Sequence, residues 1–377
     1  MRIRVRTFQR RRFLRQQLRF SSLRPAPLFS MAHLIFLLPS LTSAMVLSPA
    51  MTPAGQTGTV SRPPAPSPKQ PKPFPPINYH SRRSTRGRIW STTRGVSVVV
   101  SVDWEGSGFD AENMEAFCQF RDEFPHVPLT HFLNPSYFTR LAPNDVIGAV
   151  SAGDKIRTVL RDGDEIGLHV HADNHLLYAS GVNPKRFPSW DNLPDMTGHT
   201  VPLSAFSEEE VRSIVAFSCR TLEQQGFERP RAFRAGGWHA GSSVHNALAT
   251  EGFVVDSSEV SQDWIPRNFG DVQDLWPNAT SVSQPYRLEA GLVEVANNGC
   301  LADYVTSDQM VDNFKAVVQA GRPGKPAVLS LGFHQETAAK FLPRLRSALL
   351  EIEQRAETQR IPICYHRTKD AALTVEP

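Results

Sequence analysis

Two short segments of this 377-residue chain place reactive side chains two residues apart: the carboxylates of Asp103-Trp104-Glu105 and the imidazoles of His169-Val170-His171. In an extended strand, residues i and i+2 project to the same side. Each segment therefore points a like pair into one space, and the first turns Trp104 the other way. Two close carboxylates repel unless a cation lies between them or one keeps its proton. Neutral imidazole with carboxylate is the ligand set of a catalytic zinc or similar divalent ion, which leaves a position for water. Asp173 and His175 follow closely enough to contribute. In Phe233-Arg234-Ala235-Gly236-Gly237-Trp238 an arginine precedes a flexible turn and an aromatic. Its guanidinium can hold a carboxylate in a bidentate pair and lower its pKa. His334, in Phe333-His334-Gln335-Glu336, has the place of a general acid across a pocket from a carboxylate base. Singly, each of these has a bland reading as a solvated acid, a satisfied core histidine or a loop arginine; gathered together, they do not. His126, His131, His199, His239, His245 and His366 lack such company and read as structural or surface residues.

Strands must bring these residues to one place. The uniform β-branched run Val96–Val102 predicts a strand covered on both faces, as in parallel sheets. Further strands are predicted at Val127–Leu133, Glu165–His171, Ala232–Arg234, Phe253–Asp256, Leu292–Val295, Ala327–Phe333 and Ile361–Tyr365. Helices are predicted at Asn113–Phe124, Glu208–Gln225, Ser243–Glu251, Asp308–Ala320 and Lys340–Arg355, the second opening on the capping-box pair Ser207 and Glu210. Roughly seven or eight strands alternating with helices predict an α/β barrel, with an open doubly wound sheet as the alternative. In either fold the C-terminal strand ends converge on the site. Asp103, Glu105, His169, His171, Arg234, Asp256 and His334 all fall at such ends. Neither G-x-G-x-x-G nor G-x-x-x-x-G-K-[ST] follows the first strand, so the common nucleotide-binding variants have no signature.

Charge divides the chain. Residues 1–102 carry 17 Lys and Arg and no acid, leaving 24 basic against 37 acidic residues beyond, so the net +4 conceals an acidic folded region. That disfavours a nucleic-acid enzyme. Four cysteines with no C-x-x-C exclude a zinc ribbon, an iron–sulfur cluster and a disulfide scaffold. Segment 1–95 reads as a disordered Arg/Pro-rich piece, preceding a catalytic domain over 96–377. Its basic cluster Arg10-Arg11-Arg12, apolar run Ala32–Leu38 and small residues Thr42-Ser43-Ala44 follow the order of an export signal. Pro39 breaks that run, no apolar stretch of about 20 residues exists for an integral membrane span, and Met31 is an alternative start. A cytoplasmic location is favoured, with export left open.

These residues resemble the polysaccharide deacetylase superfamily, carbohydrate esterase family four, over nearly all of Val96–Thr374. Ser101 to Gly106 looks like its first motif and Asp164 to His169 like its second. Arg234 to Trp238 is similar to the third, Asp256 falls near the fourth, and Leu329 to His334 resembles the fifth. The resemblance implies a distorted (β/α)7 barrel and metal-dependent removal of acetyl groups from an N-acetylated sugar. By position, Asp103 would be the general base, Glu105 and His169 metal ligands, Arg234 the residue orienting the base, and His334 the general acid. Trp238 and Asp256 would meet the carbohydrate. The chain departs from the pattern where Trp104 splits the acids and the second acid is Glu. Asp173 also stands where the second histidine ligand is usual, so His171, Asp173 or His175 is left to complete a divalent-metal set, for which zinc is the expected ion. Two other readings are a metal-free hydrolase of small cyclic amides, as in allantoinase-like members, and a glycan-binding barrel without turnover.

Overall fold

The structure, a computed structural model, describes residues 94–141, 145–265 and 272–375. The expected disordered segment and its candidate export signal lie outside these residues, apart from Arg94 and Gly95. Nine strands form one sheet: β1 (Val96–Trp104), β2 (Leu129–Leu133), β3 (Glu165–Val170), β4 (Ala232–Ala235), β5 (Val255–Asp256), β6 (Tyr286–Arg287), β7 (Val293–Glu294), β8 (Ala327–His334) and β9 (Ile363–His366). Their order is β6-β7-β5-β4-β3-β2-β1-β8, with β9 beside the first half of β1. Every pairing is parallel except that of β6 with β7. Each long predicted strand and helix is present within a few residues of its expected place. The helices Val146–Arg157 and Asn174–Ser180 are additions. The first of these exposes Val146, Ile147 and Val150 to solvent, which blurs the apolar stripe that would have marked it. Among the described residues no helix is long and apolar enough to cross a membrane, and no disulfide links the cysteines.

Alternation along the strands sorts side chains into two cores. Val98, Val100, Val102 and Trp104 pack outward with Phe117 and Phe120 of helix Ala111–Glu123. Val99 belongs to a separate inner core with Phe132, Ala232, Val255, Val293 and Val328, which come from five other strands, and with Ala371 and Ala372. An inner core of this kind requires a curled sheet. The ion pair between Asp103 of β1 and Arg234 of β4 spans 2.7 Å, whereas three strand steps across a flat sheet would separate their backbones by about 14 Å. Gly167 of β3 makes room for the inner ring of Phe132, since a Cβ there would lie 2.6 Å from Phe132 Cδ1.

The chain after β7 joins the two ends of the curl. Val260 bridges to Asn297 and Leu301 to Gly332. The N–H of Gly299 donates to Ser330 O (2.9 Å) and that of Ala302 to Gly332 O (2.8 Å). Buried Asn298 fastens the join: its Nδ2 donates to Val328 O (2.8 Å) and its Oδ1 accepts from the Ser330 N–H (2.9 Å). This is the α/β barrel expected from the alternating elements.

Candidate active site

Register brings the strand-end residues side by side. Asp103 is opposite His334 on β8, and His169 is opposite Arg234 on β4. Arg234 is fully buried. Its Nη1 donates to Asp103 Oδ1 (2.7 Å) and Ser101 Oγ (2.9 Å), its Nε to Ser257 O (3.0 Å) and its Nη2 to Ser257 Oγ (2.9 Å). The guanidinium also lies over the Phe132 ring at 4.2 Å, a cation–π contact on the roof of the inner core. The clamp on Asp103 is a single contact and not the bidentate pair expected, because the other guanidinium nitrogens are spent on Ser257.

Glu105, two residues beyond Asp103, meets both histidines of β3 and its end. Its Oε1 is 3.4 Å from His169 Nε2 and its Oε2 is 2.8 Å from His171 Nε2. One potential ligand atom from each residue falls in a group no more than 4.8 Å across. Both rings give their Nδ1 proton to main-chain carbonyls, His169 to Arg234 O and His171 to His199 O, each at 2.9 Å. A carbonyl can only accept, so the neutral rings carry their proton on Nδ1 and turn the Nε2 lone pair toward Glu105. His169 Nε2 and Glu105 Oε2 are buried with no hydrogen-bond partner among the described residues. Lone pairs facing a carboxylate at these distances call for a cation between them. The outward Nδ1 bonds are the outer-shell contacts that fix imidazole ligands to a metal. The donor set therefore fits a divalent ion. Burial works against the charge of Glu105, and only positive charge at His171 and His169, carried by the rings themselves or by an ion between them, holds the carboxyl well below its usual range.

His334 reaches the other side of the same carboxylate, its Nε2 3.4 Å from Glu105 Oε1. Its Nδ1 lies 3.0 Å from Asp303 Oδ2. Burial opposes the imidazolium, yet Asp303, with Glu105 and Asp103 behind it, pushes His334 up to about 10. Thr337 hydrogen-bonds the other oxygen of Asp303. Glu336 accepts from the Glu105 N–H (3.1 Å) and from Tyr137 Oη. Burial and the charge of Glu105 push its carboxyl up to about 7.

These groups line a cleft of about 370 Å³ together with Trp190, His199, Trp238 and Tyr304. Of the residues expected at the site, Asp103, Glu105, His169, His171, Arg234 and His334 converge. Asp173 and His175 do not complete the Glu–His–His group: Asp173 bonds Ser136 Oγ (2.7 Å), and His175 Nδ1 faces Thr139 Oγ1 (2.9 Å). Trp238 lines the cleft but is only 4 % exposed, too little for a ring face to lie open for stacking. The expectation that Asp256 meets substrate fails. That residue is wholly buried and outside the cleft lining, with its oxygens on His245 Nε2 (3.0 Å) and Ser258 Oγ (2.6 Å). His199, read above as structural or surface, stands in the cleft, stacked on His171. Asp303, Glu336, His199 and Trp190 were not found in the sequence, because they lie in turns and irregular chain without a strand's period to mark them.

No family model and no curated protein matches the chain. Among solved structures it is similar to a Mycobacterium smegmatis protein provisionally named a polysaccharide deacetylase, at 17 % identity and a TM-score of 0.43 over 74 % of this chain and 96 % of that one. It is also similar to the chitin deacetylase of the fungal pathogen Colletotrichum lindemuthianum, at 11 % identity and a TM-score of 0.40 over 73 % and 87 %. A third match is a family 4 carbohydrate esterase from Streptomyces lividans in complex with acetate, at 12 % identity and a TM-score of 0.38 over 72 % and 93 %.

Proposed function

We propose that the chain is a metal-dependent hydrolase that removes acetyl groups from an N-acetylated sugar or polysaccharide. One observation carries this reading: two imidazoles, each with Nδ1 committed to a carbonyl, turn Nε2 onto a single carboxylate between an Asp–Arg pair and a His–Asp pair. Glu105, His169 and His171 would hold the ion, and zinc suits that donor set. An ion held there would supply polarisation of an acyl carbonyl and a lowered pKa for water near neutral pH. Asp103, fixed by Arg234, accepts the proton that water gives up as its oxygen bonds to the carbonyl carbon. His334, kept charged by Asp303, protonates the leaving nitrogen as the C–N bond breaks, so that acetate and a free amine depart. The order of the sequence motifs and the acidic folded region support a neutral glycan as substrate.

Acetate release from an N-acetylglucosamine oligomer, followed before and after a chelator, tests the reading. Activity should vanish on metal removal and return with zinc. Asp103→Asn should keep its zinc and lose about 10²–10⁴ in rate, while His169→Ala should lose the metal. Hydrolysis that persists after complete metal removal overturns the proposal.

A further inference from the structure

His199 stands beside the metal-binding group without belonging to it. Its ring lies flat on that of His171, with centroids 3.8 Å apart and planes within 3°. A metal ion sits near the plane of the imidazole that binds it, about 2 Å from the nitrogen. Two parallel rings stacked at van der Waals distance cannot both meet that condition for one ion. His171 is the better placed of the two: its Nε2 is 2.8 Å from Glu105 Oε2, against 3.8 Å for His199 Nε2.

What is left to His199 is the open side of the cleft. Its side chain is 39 % exposed and lines the cleft wall. Its Nδ1 is 3.4 Å from Oδ1 of Asp173, a buried carboxylate whose Oδ2 accepts from Ser136 Oγ at 2.7 Å. The supporting loop is firmly tied. Asp195 accepts bonds of 2.6 to 2.9 Å from the N–H and hydroxyl groups of both Thr197 and Thr200. The carbonyl of Thr197 accepts in turn from the Asn174 N–H (2.8 Å). Two Asp–His pairs thus face Glu105, Asp303–His334 at Oε1 and Asp173–His199 at Oε2.

We propose that His199 is a substrate-binding residue whose Nε2 hydrogen-bonds a hydroxyl or carbonyl of the sugar that carries the acetyl group, with Asp173 as its positioning residue. A sugar hydroxyl both donates and accepts, so either state of the ring serves. This rests on the acetylated-sugar reading above and adds to it a contact that the metal-ligand set does not contain.

Calorimetric titration of the full chain with zinc, then of the zinc-loaded protein with an N-acetylglucosamine tetramer, tests the assignment. His199→Ala should bind zinc within about threefold of the unmodified chain, while the tetramer Kd and KM rise about tenfold, the value of one lost hydrogen bond. The loss should fall on KM more than on kcat. His199→Gln, which keeps a polar group, should recover part of it. Asp173→Asn should raise KM as His199→Ala does, and the double variant should add nothing further. Zinc affinity that falls in His199→Ala as far as in His171→Ala would make His199 a ligand and overturn the proposal. Tetramer affinity unchanged in His199→Ala overturns it as well. If the unmodified chain binds zinc but neither binds nor deacetylates the tetramer, the sugar reading itself fails and carries this one with it.

Discussion

A single methyl group at position 236 would reach the His171 imidazole. A Cβ on Gly236 would lie 2.5 Å from His171 Nδ1 and 2.6 Å from its Cγ and Cε1. His171 has little slack, because that same Nδ1 is bonded to His199 O. Gly236→Ala should therefore displace the ring and weaken zinc binding about 10- to 100-fold, as lost outer-shell support does. Competition against a chromophoric chelator measures this, and unchanged affinity would remove His171 from the ligand set. At this scale the sequence was informative wherever a strand set the direction of a side chain. The spacing of Asp103 and Glu105, and of His169 and His171, predicted the convergence that register produces. It failed where direction comes from turns. Asp303 follows the irregular closing segment 297–302, and His199 sits in a loop shaped by side-chain and backbone bonds of Asp195, Thr197 and Thr200 and not by a strand. Asp256 occupies a strand end, but β5 is two residues long and its carboxylate is consumed by His245 and Ser258.

Between elements, a buried charged knot ties helix Ala111–Glu123 to β2 and to the turn before β3. Arg121 donates to Val127 O (2.8 Å) and, through Nη2, to both oxygens of Asp164 (2.9 and 3.0 Å). Asp164 also accepts from the Leu129 N–H (2.8 Å) and faces His131 Nε2 (3.2 Å). Trp104 Nε1 donates to His131 Nδ1 (3.3 Å), so the neutral ring must carry its proton on Nε2. Arg121→Met should cost about 3–5 kcal/mol in urea unfolding, since it strands a buried carboxylate. Burial pushes His131 below its usual value despite the pull of Asp164. Burial also opposes the charge of Asp164, but His131, the Leu129 N–H and Arg121 outweigh it and lower that carboxyl. Both groups bind protons more readily in the unfolded chain, so unfolding takes up protons. Their contribution is complete above about pH 6.5, declines as His131 titrates in the unfolded chain, and declines again below about pH 4 with Asp164. Glu336 and His334, held at about 7 and about 10, change stability in the opposite sense over the same range, so the measurement is a difference: the thermal midpoint of the unmodified chain minus that of His131→Gln should fall between pH 8 and 5. The Asp164–Glu165 segment was legible only as part of a strand motif, because Arg121 lies far off in sequence and on what reads as a helix surface.

For the whole molecule, the alternation of strands and helices made the barrel legible, but the manner of its closure was not. The joining segment 297–302 makes bridges and not a strand, so no periodicity announces it. Asn298 carries much of that join. Asn298→Ala leaves the Ser330 N–H buried without its side-chain partner and Val328 O with Gln284 Nε2 (3.1 Å) in place of two such donors, and should cost about 1–3 kcal/mol, measured by urea titration. A cost under about 0.5 kcal/mol would mean that the backbone bridges hold the join alone. The place of β1 has a consequence for how the protein is made. The first strand of the sheet takes β8 and β9, two of the last, as its neighbours. A growing chain therefore carries Asp103 and Glu105 out of the ribosome long before their partners exist, and such distant pairing is slow to form. The cleft is complete only when synthesis is nearly over, and a chain truncated ahead of β8 lacks both His334 and the strand beside Asp103.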